Sequence, residues 1–264
     1  MRIDIWLVEN GKVSSRQKAQ ELIASGRVVF TLPNGETKQI KKPSALVDDA
    51  LAAKIRIETS DGPEYVSRGG QKLFGAAKKT GVDFKNRSVF DVGISTGGFA
   101  DCALQLGAKN VVGVDVGHGQ LAPKMKLDAR VTLLEGVNAR DLSTNEGLKT
   151  KILTANGGAK FDFAVVDVSF ISLKLVLPAI AGYLRESGQI LALVKPQFEV
   201  GREGIGRNGI VKDVKLYPGV ETSIRDVCAS LGLKVESYFD SPILGSDGNR
   251  EFFIHAIFPQ IGLL

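Results

Sequence analysis

A chain of 264 residues, 44% hydrophobic and 24% charged, has room for one large domain or a medium domain with a small companion, and excludes disordered, fibrous and membrane-embedded classes. Its longest apolar runs, such as residues 190–194, fall far short of the roughly 18 residues of a membrane span, and Asp4 inside the first apolar stretch argues against a signal peptide. The net charge of +5 is concentrated in residues 1–42, where eight basic residues (Arg2, Lys12, Arg16, Lys18, Arg27, Lys38, Lys41, Lys42) face four acids (Asp4, Glu9, Glu21, Glu36). That excess fits a polyanionic partner and a solvated basic face equally well.

In chain order, Ile3, Trp6 and Leu7 have one-face helical spacing, ended by Gly11. Ser14 opens a second helix, with Gln17 as its capping-box partner; Ala19, Leu22 and Ile23 form the buried stripe and Gly26 stops it. Arg16 and Lys18 lie off that stripe, facing water or a phosphate. Residues 27–30 read as a strand, Pro33-Asn34-Gly35 as a turn, and the alternation of Ala53, Ile55 and Ile57 as a later strand. Thr59-Ser60-Asp61-Gly62-Pro63 is the expected boundary. A small α+β domain is expected over 1–60, a linker over 61–66 and a larger domain over 67–264.

Beyond the boundary, strands (88–92, 110–115, 131–134, 161–166, 189–194, 234–239, 252–258) alternate with helices (99–106, 173–185, 220–231). Alternation of this kind predicts an α/β fold with a mostly parallel, doubly wound sheet. Cys102 and Cys228 fall in helical patterns and read as buried free thiols, neither disulfide partners nor metal ligands. A cytoplasmic protein without a metal is expected.

Residues 89–99 (VFDVGISTGGF) are an apolar strand ending in an acid, then a Gly-rich turn into a helix. Glycines admit close approach of a ligand, and the helix N-terminus offers free N–H donors. The next strand ends in Asp115, which can accept from two ribose hydroxyls. The G-x-G-x-x-G spacing of a dinucleotide site is absent, and no Lys follows the glycines as in a P-loop. Asp91 would repel a phosphate and suits a ligand carrying an amine and a sulfonium. These residues favour S-adenosylmethionine over a dinucleotide, with a ligand-free structural turn as the bland alternative. The expected cofactor set is Asp91, Gly93, Ser95, Thr96, Gly97, Phe99 and Asp115.

Methyl transfer from a sulfonium is an in-line displacement that needs the acceptor positioned and, where weak, deprotonated. Amino-nitrogen acceptors go with an Asn/Asp-Pro-Pro-aromatic loop after the fourth strand, whereas here that loop reads Asp167-Val168-Ser169-Phe170. Neither cysteine lies at the carboxyl end of a strand, as pyrimidine-carbon methylation would need. A hydroxyl acceptor remains. Lys72, Asp167, Lys195 and Glu251 stand where its activation would be useful, with a lysine as general base and the carboxylates orienting the lysines. Surface salt bridges are the bland alternative.

The segments SRGGQKL, DVGISTGGF, VGVDVGHGQL, NARDL, DVSFISL, LVKPQFE and GSDGNREF stand in family order. Through them residues 66–258 resemble the TlyA (haemolysin A-like) branch of the FtsJ-like ribose 2′-O-methyltransferases, and residues 1–60 resemble the RNA-binding module of ribosomal protein S-four type. The resemblance implies a Rossmann-like class I methyltransferase using S-adenosylmethionine, with Lys72, Asp167, Lys195 and Glu251 as a catalytic tetrad in which Lys195 activates the 2′-hydroxyl. It implies cofactor contacts at Asp91, Gly93, Ser95 and Asp115, with Asn138 at the adenine edge. It also implies an RNA-facing surface at Ser15, Arg16 and Lys18, a cytidine ribose as acceptor, and ribosomal RNA or ribosomal subunits as partner. Arg2, Arg68, Arg202 and Arg207 are further expected RNA contacts, whereas His118 and His255 read as structural. Tyr217 departs from the family pattern, where a His is expected. A catalytically silent RNA-binding assembly factor is the competing reading; the membrane-lytic activity of the family's older name has no support in hydropathy.

Overall fold

The computed structural model describes residues 1–24, 26–32, 35–57, 63–206, 209–245 and 248–259, the side chains of Glu21, Ala24 and Asp49 apart. Pro33 and Asn34 of the expected turn and residues 59–62 of the expected boundary lie outside the described residues. The chain divides into two compact units, Met1–Glu64 and Tyr65–Leu264.

The first unit comprises α1 (Ile3–Glu9), α2 (Arg16–Ala24), β1 (Val28–Thr31), β2 (Thr37–Gln39), α3 (Asp49–Ala52) and β3 (Ile55–Ile57). β1 pairs antiparallel with both β2 and β3. Ile3 and Leu7 of α1 pack on Ala19, Leu22 and Ile23 of α2, with Val28 and Ile55 closing the core; Trp6 is only partly buried at its edge. The α2 cap is Ser15 rather than Ser14. Ser15 immediately precedes the first helical residue, and its Oγ accepts the Lys18 amide at 3.2 Å. β2 is exposed at all three positions, so no apolar alternation marks it in the sequence.

In the second unit, α4 (Arg68–Thr80) precedes β4 (Ser88–Val92), α5 (Gly98–Gln105), β5 (Asn110–Asp115), α6 (Pro123–Lys126) and β6 (Val131–Glu135). Then follow α7 (Glu146–Ala155), β7 (Phe161–Val166), α8 (Leu173–Ala181), β8 (Leu184–Val194), α9 (Tyr217–Ser230), β9 (Lys234–Asp240) and β10 (Phe252–Ile257). The helix expected over 173–185 is shorter: Gly182 caps it, and Leu184 and Arg185 already open β8.

The seven strands run in the order β6-β5-β4-β7-β8-β10-β9. The first five are mutually parallel, and β10 is antiparallel to both of its neighbours. Alternation along the strands divides the core in two. Val89, Val111, Phe163, Val165 and Leu191 pack with residues of α4 and α5. Phe90, Val112, Ala164, Val166 and Ile190 pack with residues of α8 and α9. This is the doubly wound α/β architecture. From β4 the chain moves outward to β5 and β6, then returns to β7 on the other side of β4. The β4–β7 seam is therefore the topological switch point, and its carboxyl end opens a crevice. Among the described residues no helix is long and apolar enough to cross a membrane.

Candidate active site

The crevice holds a cavity of about 470 Å³, a size suited to a small-molecule ligand. Gly93, at φ 87°, turns the chain out of β4 beneath it; a Cβ there would stand 2.6 Å from the Asp167 carbonyl oxygen. Only glycine lets the loops after β4 and β7 approach this closely. Asp115 accepts from the amides of Ser95 at 2.8 Å and Gly117 at 2.7 Å. Those bonds fix its carboxylate on the cavity wall while leaving lone pairs for a ligand's hydroxyls. Ser95 Oγ pairs with Gln120 Oε1 at 2.9 Å. Asn138, also on the wall, accepts the Arg140 amide at 3.0 Å through Oδ1.

Gly93, Ser95, Asp115 and Asn138 thus line the cavity; Asp91, Thr96, Gly97 and Phe99 do not. Phe99 stacks on Phe253 with ring centroids 6.1 Å apart, within the core on the α4–α5 side. Gly97, at φ 92°, is walled by Met125 and Leu121, and the Thr96 carbonyl accepts the Ala122 amide. These three shape the turn rather than face the ligand. Asp91 points to the same side by strand alternation, and its carboxyl is fully buried without a well-formed hydrogen bond. Burial first, and the nearby Asp167 and Asp115 charges, push its pKa well above the ordinary carboxylate value; the Ala100 amide opposes this only in part.

Behind the cavity the four expected ionisable residues form two ion pairs. Lys72 lies on the buried face of α4 with Nζ 2.6 Å from Glu251 Oε2, the side chains 10% and 4% exposed. Lys195, just past β8, is 2.6 Å from Asp167 Oδ1 and donates to Ser169 Oγ at 2.9 Å. The Asp167 contact is one of charge rather than an aligned hydrogen bond. Burial raises the Glu251 pKa against the pull of Lys72, and Lys195 and Asp167 are near enough to act on the same carboxyl, so the two pairs are neighbours. Asp167 alone of the four lines the cavity.

A model of the FtsJ-like methyltransferases matches residues 65–258, and a model of the S4 domain matches residues 1–29. The chain belongs to the FtsJ-like methyltransferase family. A relative in Bacillus subtilis named as a candidate rRNA methyltransferase, YqxC, is 40% identical over 261 residues, covering 99% of this chain and 87% of that protein. The 16S/23S rRNA (cytidine-2′-O)-methyltransferase TlyA of Mycobacterium tuberculosis is 39% identical over 254 residues, covering 96% and 88% respectively. A solved structure from Streptococcus thermophilus, described as a candidate hemolysin, has a TM-score of 0.71 at 37% identity, covering all 100% of this chain and 91% of that one.

The methyltransferase fold implies S-adenosylmethionine as the donor, and the residues present fit it. The buried carboxyl of Asp91 without a well-formed hydrogen bond suits the neighbourhood of a cationic group. Asp115 offers two carboxylate oxygens on the wall, and the glycine turn leaves the backbone bare beneath the ligand.

Two residues of this FtsJ-like methyltransferase escape sequence reasoning. Phe170 is 90% exposed at the cavity mouth in a left-handed conformation, φ 62°, with its ring 5.3 Å from that of Phe198. Ser169 holds Lys195. Their only sequence signal is their place directly after the strand-ending Asp167.

In the S4 unit, Asp4 is fully buried. It accepts from Arg2 through Nε and Nη2 at 3.0 Å, from Arg16 at 2.9 Å and from Gln20 at 3.1 Å. The Arg2 hydrogen bond first, then those from Arg16 and Gln20, hold its pKa far below the usual carboxylate range. Arg2 and Arg16 still expose 41% and 53% of their side chains, and Lys18 is half-buried. Of the other expected RNA contacts, Arg68 donates to the Leu244 carbonyl at 2.7 Å, Arg202 is exposed, and Arg207 lies outside the described residues. Tyr217 packs on Phe252 with Arg250 over its ring. His255 is buried against Gln189 Oε1 at 2.8 Å, and His118 is exposed.

Proposed function

We propose that this FtsJ-like methyltransferase methylates the ribose 2′-hydroxyl of a cytidine in ribosomal RNA, recognised within ribosomal subunits. The observation that carries the reading is the adjacency of the Lys195–Asp167 and Lys72–Glu251 pairs behind a cofactor-sized crevice whose wall includes Asp167. S-adenosylmethionine supplies an electrophilic methyl group. Lys195, once it has released its own proton to solvent, takes the hydroxyl proton as the oxygen bonds to the methyl carbon and the methyl–sulfur bond breaks, and Asp167 and Ser169 hold the ammonium that re-forms. Glu251 and Lys72 balance charge beside them, buried so that water does not compete for the proton. Gly93, Ser95, Asp115 and Asn138 hold the cofactor, with Asp91 beneath it as the electrostatic partner of its cationic end. No residue in this scheme calls for a metal.

Residues 1–60 are read as the RNA-binding domain, 61–66 as a linker and 67–264 as the catalytic domain, in a cytoplasmic protein. Arg2, Arg16 and Lys18 meet phosphate, joined by Arg68, Arg202 and Arg207. The exposed Phe170 ring at the cavity mouth suits a base stacked beside the acceptor ribose. Support for an RNA acceptor comes from the S4 match and from relatives named as rRNA methyltransferases. With labelled S-adenosylmethionine and ribosomal subunits, methyl transfer to RNA is expected. Lys195→Ala should abolish turnover while cofactor binding, measured by calorimetry, persists; full activity in that variant removes Lys195 from its role.

A further inference from the structure

One residue of the LVKPQFE segment, Glu199, touches neither the cavity nor the ion pairs, yet its contacts are the most specific in its loop. Its Oε2 accepts the Ser172 hydroxyl at 2.7 Å and its Oε1 accepts the Leu173 amide at 2.6 Å. Ser172 is the N-cap of α8, and its Oγ in turn accepts the Lys174 amide at 3.2 Å. A carboxylate at this position satisfies an orphan N–H of the first helical turn and complements the helix dipole. Burial raises the Glu199 pKa, with Ser172, Leu173 and Lys174 opposing. The carboxyl is therefore held where it is expensive to keep charged.

The contact runs alongside others between the same two loops. Reading along the loop after β8, Lys195 meets Asp167 and Ser169, Phe198 meets Phe170, and Glu199 meets Ser172 and Leu173. A short 3₁₀ turn, Pro196–Phe198, sets the spacing between these side chains. The last contact ties the loop after β7 to its neighbour through groups that have no part in the chemistry proposed for Lys195 and Asp167. Phe170, at φ 62°, adds a reason for a clamp, since a non-glycine residue in that conformation persists only where its surroundings enforce it.

We propose that Glu199 is a positioning residue of the methyl-transfer site, clamping the Asp167–Ser169–Phe170 loop to the start of α8 so that it stays in register with Lys195. The inference rests on the catalytic reading of Lys195 and Asp167 given above. The test compares Glu199→Ala, Glu199→Gln and Lys195→Ala in the full-length protein, with ribosomal subunits as substrate. Loss of precise placement should lower kcat in Glu199→Ala by roughly 10- to 100-fold, with S-adenosylmethionine affinity unchanged. Glu199→Gln, which retains an acceptor for Leu173 and a polar group for Ser172, should recover most of that loss. Amide hydrogen exchange without RNA should quicken at residues 169–173 in Glu199→Ala and stay at the wild-type rate in the strands of the sheet. If Lys195→Ala is inactive while Glu199→Ala keeps wild-type kcat and exchange, the clamp is wrong and the catalytic reading stands. Full activity in Lys195→Ala overturns the catalytic reading itself. Faster exchange throughout the sheet in Glu199→Ala would make Glu199 a general stability residue and overturn the proposal.

Discussion

The Lys72 ammonium and the Glu251 carboxyl are covered almost completely, 2.6 Å apart, so each depends on the other to be tolerable in the interior. Removing the lysine leaves a buried acid with no counter-charge. Lys72→Ala is expected to lose about 3 kcal/mol of stability at neutral or higher pH. The sign of the pH effect follows from Glu251, whose pKa burial already raises. An acid raised in the folded state stabilises the fold below its unfolded pKa and ceases to do so as pH rises through the folded value. Without Lys72 that value rises further, so the deficit relative to wild type should shrink as pH falls toward 5. Urea unfolding at two pH values checks this; a deficit independent of pH would mean that Glu251 is not the strained partner. The four residues of this cluster were legible in the sequence because each stands next to a strand end or a glycine pair. Ser169 and Phe170 were not, because exposure and a left-handed φ leave no mark in composition or period.

Among the elements, β4 and the turn after it were easiest to read, because an apolar run, an acid and glycines follow in that order. What the pattern cannot convey is which residues of the turn face the ligand. Gly97 and Phe99 belong to the core, and Gly93 does the close work. Gly93→Ala forces a left-handed φ on alanine and places its Cβ against the Asp167 carbonyl. The cost should be about 1–3 kcal/mol of stability, and S-adenosylmethionine binding should weaken because both cavity loops must part. Calorimetry showing unchanged affinity would contradict the tight approach of the two loops. α4 illustrates the converse. No element was expected over residues 68–80, where Gly69, Gly70 and Gly75 lower helix propensity, yet they form a helix in which Gly70 accommodates the Tyr65 ring and Gly75 accommodates Pro242. Glycine here serves close packing of a helix, a cause invisible until the neighbours are known. α7 is likewise a helix with a single buried residue, Ile152, and an Asn145 cap, too little periodicity to announce itself.

At the scale of the whole molecule, the fold class followed from strand-helix alternation, and the basic N-terminal sixth, which fits a polyanionic partner and a solvated face equally, falls within the unit that carries the S4 match. The role of Asp4 was not legible, because a lone acid in a basic segment gives no hint that Arg2 and Arg16 converge on it. That convergence holds both guanidiniums on a shared carboxylate. Replacing Arg16 and Lys18 together by Gln should weaken RNA binding and lower the slope of log affinity against log salt by about 2; an unaltered slope would move the RNA face elsewhere. The central claim, ribose 2′-hydroxyl methylation of ribosomal RNA, is tested most directly by mass-spectrometric mapping of 2′-O-methyl nucleotides after subunits are treated with the wild-type protein and S-adenosylmethionine. The predicted result is a new 2′-O-methylcytidine at a defined position, absent after treatment with Lys195→Ala. Methylation confined to a base, or none on either subunit under conditions where an active relative modifies one, would contradict it.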